Sequence, residues 1–276
     1  MKLLLLSDTH LTPRAPGFSG NWDAARAWIA RTRPDMTIHL GDITADGAHD
    51  AGELRAARDQ FNMTPGNIRF LPGNHDIGDN PIAPPNEHSV DLKILAEYRR
   101  EFGADRWSVE ADGWQIVGLN AQLLATGTEE EEVQFAWLEQ ELSRGRGKLV
   151  LILHKPLFRD EPADSPAHKR YVPIAPRTRL LSILRRRQLC LVASGHVHQF
   201  RHLRHDGVDY LWVPSAAYTI ADTAQERIGD KIVGVISLEL TGDGHSFELV
   251  TPDGLAQHRI TDYPHIYPRY GSVAAT

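Results

Sequence analysis

Five short apolar runs in this chain each lead, directly or after one or two residues, into side chains that can bind a metal ion. That repeated juxtaposition constrains the architecture more than any other feature. Lys2–Ser7 is followed by Asp8-Thr9-His10, Met36–Leu40 by Gly41-Asp42, and Ile68–Leu71 by Gly73-Asn74-His75-Asp76. Leu149–Leu153 is followed by His154, and Leu189–Ser194 by Gly195-His196-Val197-His198. A short continuous apolar run reads as a strand buried on both faces, which requires layers above and below the sheet. Amphipathic stretches predict helices over Trp22–Arg33, Glu53–Phe61, Ser89–Phe102, Glu130–Leu142 and Arg177–Arg187. Their alternation with the apolar runs is the pattern of layered α/β architecture. In open α/β sheets ligands gather beyond the carboxyl ends of the strands. The polar residues therefore stand where such a fold would place a site.

The remaining segments fit the same plan. Trp107–Glu110 and Trp114–Leu119 flank an Ala111-Asp112-Gly113 hairpin turn. Leu203–Val213 carries His205-Asp206-Gly207, and Ile232–Leu240 and Ser246–Val250 flank Gly242-Asp243-Gly244. The acidic first turn of Glu130–Leu142 favours the helix dipole. Pro156–Pro176 reads as a long surface loop that could close over a site. The Pro- and Tyr-rich segment after Thr261 gives no basis for an element. The domain is accordingly expected over 1–260, with 261–276 as a C-terminal tail. The formal charge of −6 provides no global basic field for nucleic acid, and Arg185-Arg186-Arg187 reads as a solvated helix end. Cys190 is the single cysteine, so no intrachain disulfide forms, and it reads as a small core residue. Ser7, Asp8 and His10 interrupt Leu3–Leu6 before a signal-peptide core could form, and no apolar run reaches membrane-spanning length. These features predict a cytoplasmic protein with no membrane partner.

Each polar segment also has an ordinary structural explanation. Asp8 could cap a turn, Asp42 could serve as a helix N-cap, Asn74 could adopt left-handed turn geometry, and His154 could be a satisfied structural histidine. In an extended segment, residues i and i+2 project to one side. On that basis Asp8 with His10, and His196 with His198, can each face one metal. The structural explanations would have to coincide at five successive strand ends.

Taken in order, D-x-H, G-D, G-N-H-D, a later H and G-H-x-H resemble the signature of the calcineurin-like metallophosphoesterases, over roughly Met1 to Tyr218. The resemblance implies a four-layer α-β-β-α sandwich with two packed mixed β-sheets and a metal site at the strand carboxyl ends. It implies a first metal on Asp8, His10 and His198, a shared Asp42, and a second metal on Asn74, His154 and His196. It places His75 close to the phosphoryl group, outside the metal shell, with Asp76 orienting it through a hydrogen bond. The activity implied is phosphate-ester hydrolysis by a hydroxide bridging two ions, with His75 assisting the leaving oxygen. The mixed ligand set suits Mn, Fe, Zn or Co.

The substrate expected is a small phosphate ester, with a cyclic-nucleotide-like phosphodiester or a monoester foremost. Phosphoprotein (Ser/Thr) phosphatase activity is the alternative, and a non-catalytic metal-binding scaffold is the second. Lys155 stands where small phosphodiesterases often have a second histidine; it reads as a solvated loop lysine that could instead face phosphate. Asn120 and Gln122 read as turn residues with a possible reach to the site. Arg159, His168, Lys169 and Arg170 are the polar residues of the long loop. Asp46-Gly47 reads as a turn without a metal role. The sequence does not specify an oligomeric state.

Overall fold

The computed structural model describes residues 1–81, 89–164 and 170–271. The strands are β1 (Lys2–Leu6), β2 (Met36–His39), β3 (Ile68–Phe70), β4 (Trp107–Ala111), β5 (Trp114–Leu119), β6 (Lys148–Leu153) and β7 (Gln188–Ser194). They continue with β8 (Arg201–His205), β9 (Val208–Trp212), β10 (Tyr218–Thr219), β11 (Val235–Leu240), β12 (His245–Val250) and β13 (His258–Arg259). The helices are α1 (Pro16–Thr32), α2 (Ala51–Asn62), α3 (Asn74–Ile77), α4 (Leu92–Phe102), α5 (Glu129–Arg144), α6 (Ile174–Leu184) and α7 (Pro268–Gly271).

Two mixed sheets form the centre. The first runs β12-β11-β1-β2-β3, with β1, β2 and β3 mutually parallel and β11 and β12 antiparallel additions. The second runs β4-β5-β6-β7-β9-β8, parallel from β5 to β9 with an antiparallel strand at each edge. The side-chain alternation of each strand explains the layering. Leu3 and Leu5 of β1 point into a core shared with Val150 and Ile152 of β6 and with Ile38, Ile116 and Leu211, between the sheets. Leu4 and Leu6 point the other way, to Trp22, Ile29, Leu54 and Tyr98 of the helices outside the first sheet. Leu149, Leu151 and Leu153 meet Phe135, Leu138 and Leu180 outside the second. A strand buried on both faces must be apolar throughout, which is why these runs show no polar alternation. The result is the four-layer α-β-β-α sandwich that the sequence led us to expect. At the ends remote from the strand tips, Asp209 of β9 accepts from His202 of β8 at 2.8 Å and lies 3.0 Å from His245 of β12, tying the sheets together.

Some local details differ from expectation. Helix α1 begins at Pro16, six residues before Trp22. Proline suits that first position because its missing N–H would have had no partner there. Helix α4 begins at Leu92, where Asp91 caps it by accepting from Lys93 N at 2.7 Å. Ile260–Asp262 forms a short 3-10 turn, α7 follows, and β13 pairs in parallel with β10. His168 and Lys169 lie outside the described residues. No described helix is long and apolar enough to cross a membrane.

Candidate metal centre

The ends of β1, β2, β6 and β7, together with the start of α3 beyond β3, converge on one cavity. Three overlapping groups of ligand-competent side chains meet there: Asp8, His10 and His198; Asp42, His154 and His196; and His10, Asp42 and His75. His198 Nε2 lies 3.2 Å from Asp8 Oδ1, and His10 Nε2 lies 3.3 Å from His198 Nε2. Asp42 Oδ2 stands between the groups, 3.9 Å from His10 Nε2 and 3.3 Å from His154 Nε2. Asn74 lines the same cavity.

The backbone that brings these atoms together is not extended. Nine non-glycine residues among those described have positive φ, and Asp8, His10, Asp42, His196 and His198 are five of them. Left-handed backbone is unfavourable for such residues and collects at sites that the surrounding fold over-determines. Left-handed turns, rather than strand alternation, thus bring Asp8 and His10 to one group. The same geometry corrects the expectation that His196 and His198 face one metal from one side: His198 joins Asp8, whereas His196 joins His154. Two glycines permit the crowding. A Cβ on Gly73 would collide with the Asp42 carboxylate, and one on Gly195 with Ser7 and Asp8.

Several imidazoles are tied at Nδ1 to backbone carbonyls. His198 pairs with Tyr218 O at 2.9 Å, His154 with Leu40 O at 3.2 Å, and His75 with Ala45 O at 2.7 Å. Donation from Nδ1 leaves Nε2 as the lone-pair atom, the arrangement that orients a ligating histidine. Burial alone would raise the pKa values of Asp8 and Asp42. His198 beside Asp8, and His154 and His75 beside Asp42, overcome that and hold both carboxyls far below the usual range. Burial keeps His10 and His196 neutral, reinforced by His75 for the former and Lys155 for the latter.

The test of fit to metal ions lies in the buried polar atoms. Asp8 Oδ1, Asn74 Oδ1 and His154 Nε2 are buried without a hydrogen-bond partner. A buried polar group without a partner costs about 1–3 kcal/mol, so three in one cluster match a ligand set that cations would satisfy once His154 has lost its proton. Anionic carboxylates, neutral imidazoles and an amide oxygen suit divalent transition metals.

His154 adds a pH dependence. Burial opposes its charge, but Asp42 outweighs burial and pushes its pKa up to about 9. At pH 7 the metal-free protein therefore holds a proton on His154 that must leave before Nε2 can ligate. Mn²⁺ uptake at pH 7 is expected to release about one proton, and apparent affinity should climb with pH until about pH 9. Calorimetry in two buffers of different ionisation enthalpy counts the protons, and a count of zero contradicts the assignment.

Two residues, Asp76 and Lys155, behave differently from expectation. Asp76 does not touch the His75 ring. Its buried carboxylate accepts from Gly73 N at 2.8 Å, Ile43 N at 3.1 Å, and Thr44 N and Oγ1 at 2.9 and 2.8 Å. Adjacent residues on a helix turn point in different directions, so neighbouring positions in sequence do not make Asp76 a partner of His75. Lys155 is fully buried rather than solvated, and its ammonium binds Asp79 and Asn80. Gln122 is buried against the same Asp79 at 3.1 Å, and Asn120 donates to Asp105 at 2.9 Å; both brace loops behind the cavity.

The cavity has a volume of about 420 Å³. Its floor is the ligand cluster with His75. Arg14, Arg170 and Arg269 stand around it, and Ile260, Ile266 and Tyr267 form an apolar wall from the C-terminal segment. Of the long loop, Arg170 lines the cavity, whereas Arg159 turns away to Glu226 at 2.9 Å. Sequence reasoning missed the C-terminal wall entirely.

The profile of one family, described as calcineurin-like phosphoesterase, matches residues 1–200. The chain is 23% identical over 243 residues to a probable glycerophosphodiester phosphodiesterase of Arcobacter nitrofigilis, covering 80% of each. Its fold is similar to that of a dimetal phosphatase from Danio rerio, with a TM-score of 0.63 and 14% identity, over 90% of this chain and 95% of that one. It is also similar to a purple acid phosphatase from yellow lupin (Lupinus luteus) seeds, with a TM-score of 0.66 and 14% identity, over 94% of this chain and 52% of that one.

Proposed function

Because this chain belongs to the calcineurin-like phosphoesterase family, we propose that it hydrolyses a small phosphodiester, with monoesters as secondary substrates, using two transition-metal ions. Asp8, His10 and His198 hold the first ion, Asn74, His154 and His196 hold the second, and Asp42 is shared. Mn, Fe, Zn and Co all suit this set. The observation that carries the reading is the set of buried, unpartnered ligand atoms clustered beneath a half-open cavity.

Bound ions supply charge neutralisation for the phosphoryl oxygens and a water acidified toward neutral pH. The protein residues supply the rest. Arg14, Arg170 and Arg269 draw an anionic ester inward. His75, tied at Nδ1 to Ala45 O, acts in its imidazolium form: the Nε2–H on the cavity side passes its proton to the leaving oxygen. The apolar wall receives the organic part of the ester. Support for a diester comes from the name of the Arcobacter relative, and the wall leaves a cavity of small-molecule size. A phosphoprotein phosphatase would need an open groove in its place.

The test is turnover of bis-p-nitrophenyl phosphate and p-nitrophenyl phosphate by Mn²⁺-loaded protein. Metal-dependent cleavage with the diester preferred is expected. His75→Ala should lower kcat about 10²–10⁴-fold while leaving bound Mn²⁺ per chain unchanged. Activity on phosphopeptides with neither small ester cleaved would move the assignment to phosphoproteins, and metal-loaded protein inert on all three would leave the scaffold reading.

A further inference from the structure

His10 is tied differently from its neighbours. Its Nδ1 lies 3.0 Å from the hydroxyl of Tyr267, a side chain 257 residues downstream. Tyr267 is buried, 8% exposed, and its ring stands edge-on to both His10 and His75 at 6.0 Å and packs on Tyr218 at 5.3 Å. The segment that carries it has further anchors beside Tyr267. Tyr263 packs on Phe18 at 4.4 Å, and His265 lies 3.0 Å from Arg14 O. His10 itself is fully buried with a left-handed backbone, φ 46°, and its Nε2 lies 3.4 Å from the Tyr218 hydroxyl.

The two possible directions of the Tyr267–His10 bond have opposite consequences. A hydroxyl donating to Nδ1 would leave the proton on Nε2, and Nε2 could not ligate. An Nδ1–H donating to the hydroxyl oxygen frees Nε2, which already faces His198 Nε2 and Asp8 Oδ1. We propose that Tyr267 is a positioning residue: it accepts the Nδ1 proton of His10, fixes the tautomer and ring angle that the first metal ion requires, and so makes occupancy of that subsite depend on the docked C-terminal segment. The inference rests on the assignment of His10 as a ligand. It gives the C-terminal segment a role in the metal centre, beyond walling the cavity.

The experiment uses full-length protein stripped of metal and titrated with Mn²⁺ by calorimetry and with Co²⁺ by visible absorption. Tyr267→Phe keeps the ring and removes the oxygen. It is expected to weaken one of the two binding steps about 10–100-fold, to alter the Co²⁺ absorption of that step alone, and to leave the other step within about twofold of wild type. Tyr263→Phe, in the same segment but away from His10, should leave both steps unchanged. Equal binding by Tyr267→Phe and wild type overturns the inference, as does equal weakening by Tyr263→Phe, which would point to loosened packing. A wild-type chain that takes up no Mn²⁺ would remove the metal assignment itself, an outcome distinct from either.

Discussion

Replacing Asp42 by asparagine is expected to reduce phosphoester turnover by about 10³-fold or more, equivalent to about 4 kcal/mol of barrier, and to lower bound Mn²⁺ from two ions per chain to one or none. Asp42 is the carboxylate common to the group with His10 and His75 and the group with His154 and His196. One of its oxygens, Oδ1, accepts from His75 N at 2.8 Å, while Oδ2 faces His10 Nε2 and His154 Nε2. Asparagine fits the same space. If its oxygen keeps the bond to His75 N, its NH₂ faces the cavity, where a donor repels cations. The negative charge that Asp42 offers a cation between the two groups is also lost. Metal content by elemental analysis, together with kcat/KM on the diester, checks both parts. A fully loaded Asp42→Asn protein within tenfold of wild type would show that the carboxylate is not shared.

The parts of this arrangement legible in the sequence are those set by local pattern. β1 and β6 are readable because each is buried on two faces, which leaves no polar position in Leu3–Leu6 or Leu149–Leu153. The Gly-Asp, Gly-Asn-His-Asp and Gly-His-Val-His segments are readable because glycine marks the close approach at each strand end. The illegible features depend on tertiary distance. The burial of Lys155 follows from Asp79, 76 residues earlier, which compensates its charge; nothing beside Lys155 in the chain announces that partner. Tyr267 reaches His10 across 257 residues, from a segment with no periodic pattern. The division of His196 from His198 was implied by the resemblance but not by the spacing, because it depends on left-handed φ values, which residue types at i and i+2 do not encode. Asp76 was misleading for another reason: the resemblance implied a pair with His75 that helix geometry separates.

Asp76 therefore carries the second large expected effect, on stability rather than on proton transfer. Asp76→Ala would strand four donors: the N–H groups of Gly73, Ile43 and Thr44, and the Thr44 hydroxyl. Each unsatisfied buried donor costs about 1–3 kcal/mol. With partial relaxation, a loss of about 4 kcal/mol is expected, a large share of the roughly 5–15 kcal/mol that holds a domain folded. The metal-free variant should melt about 10 °C lower. Burial, and then Asp42, push the Asp76 carboxyl up to about 6, so its charge is opposed as well as bonded. Asparagine, which is neutral and retains one acceptor, should recover part of the loss. The donors belong to two segments, Ile43-Thr44 after β2 and Gly73 after β3, and these also carry Asp42 and Asn74. A loosened clamp lets the two proposed ligands drift apart, so weaker metal binding should accompany the lower melting temperature. His75→Ala separates the two roles: it should keep the melting temperature and lose turnover. If Asp76→Ala instead melts within about 2 °C of wild type and loses only turnover, the carboxylate acts through His75 after all, and the clamp is not what Asp76 contributes.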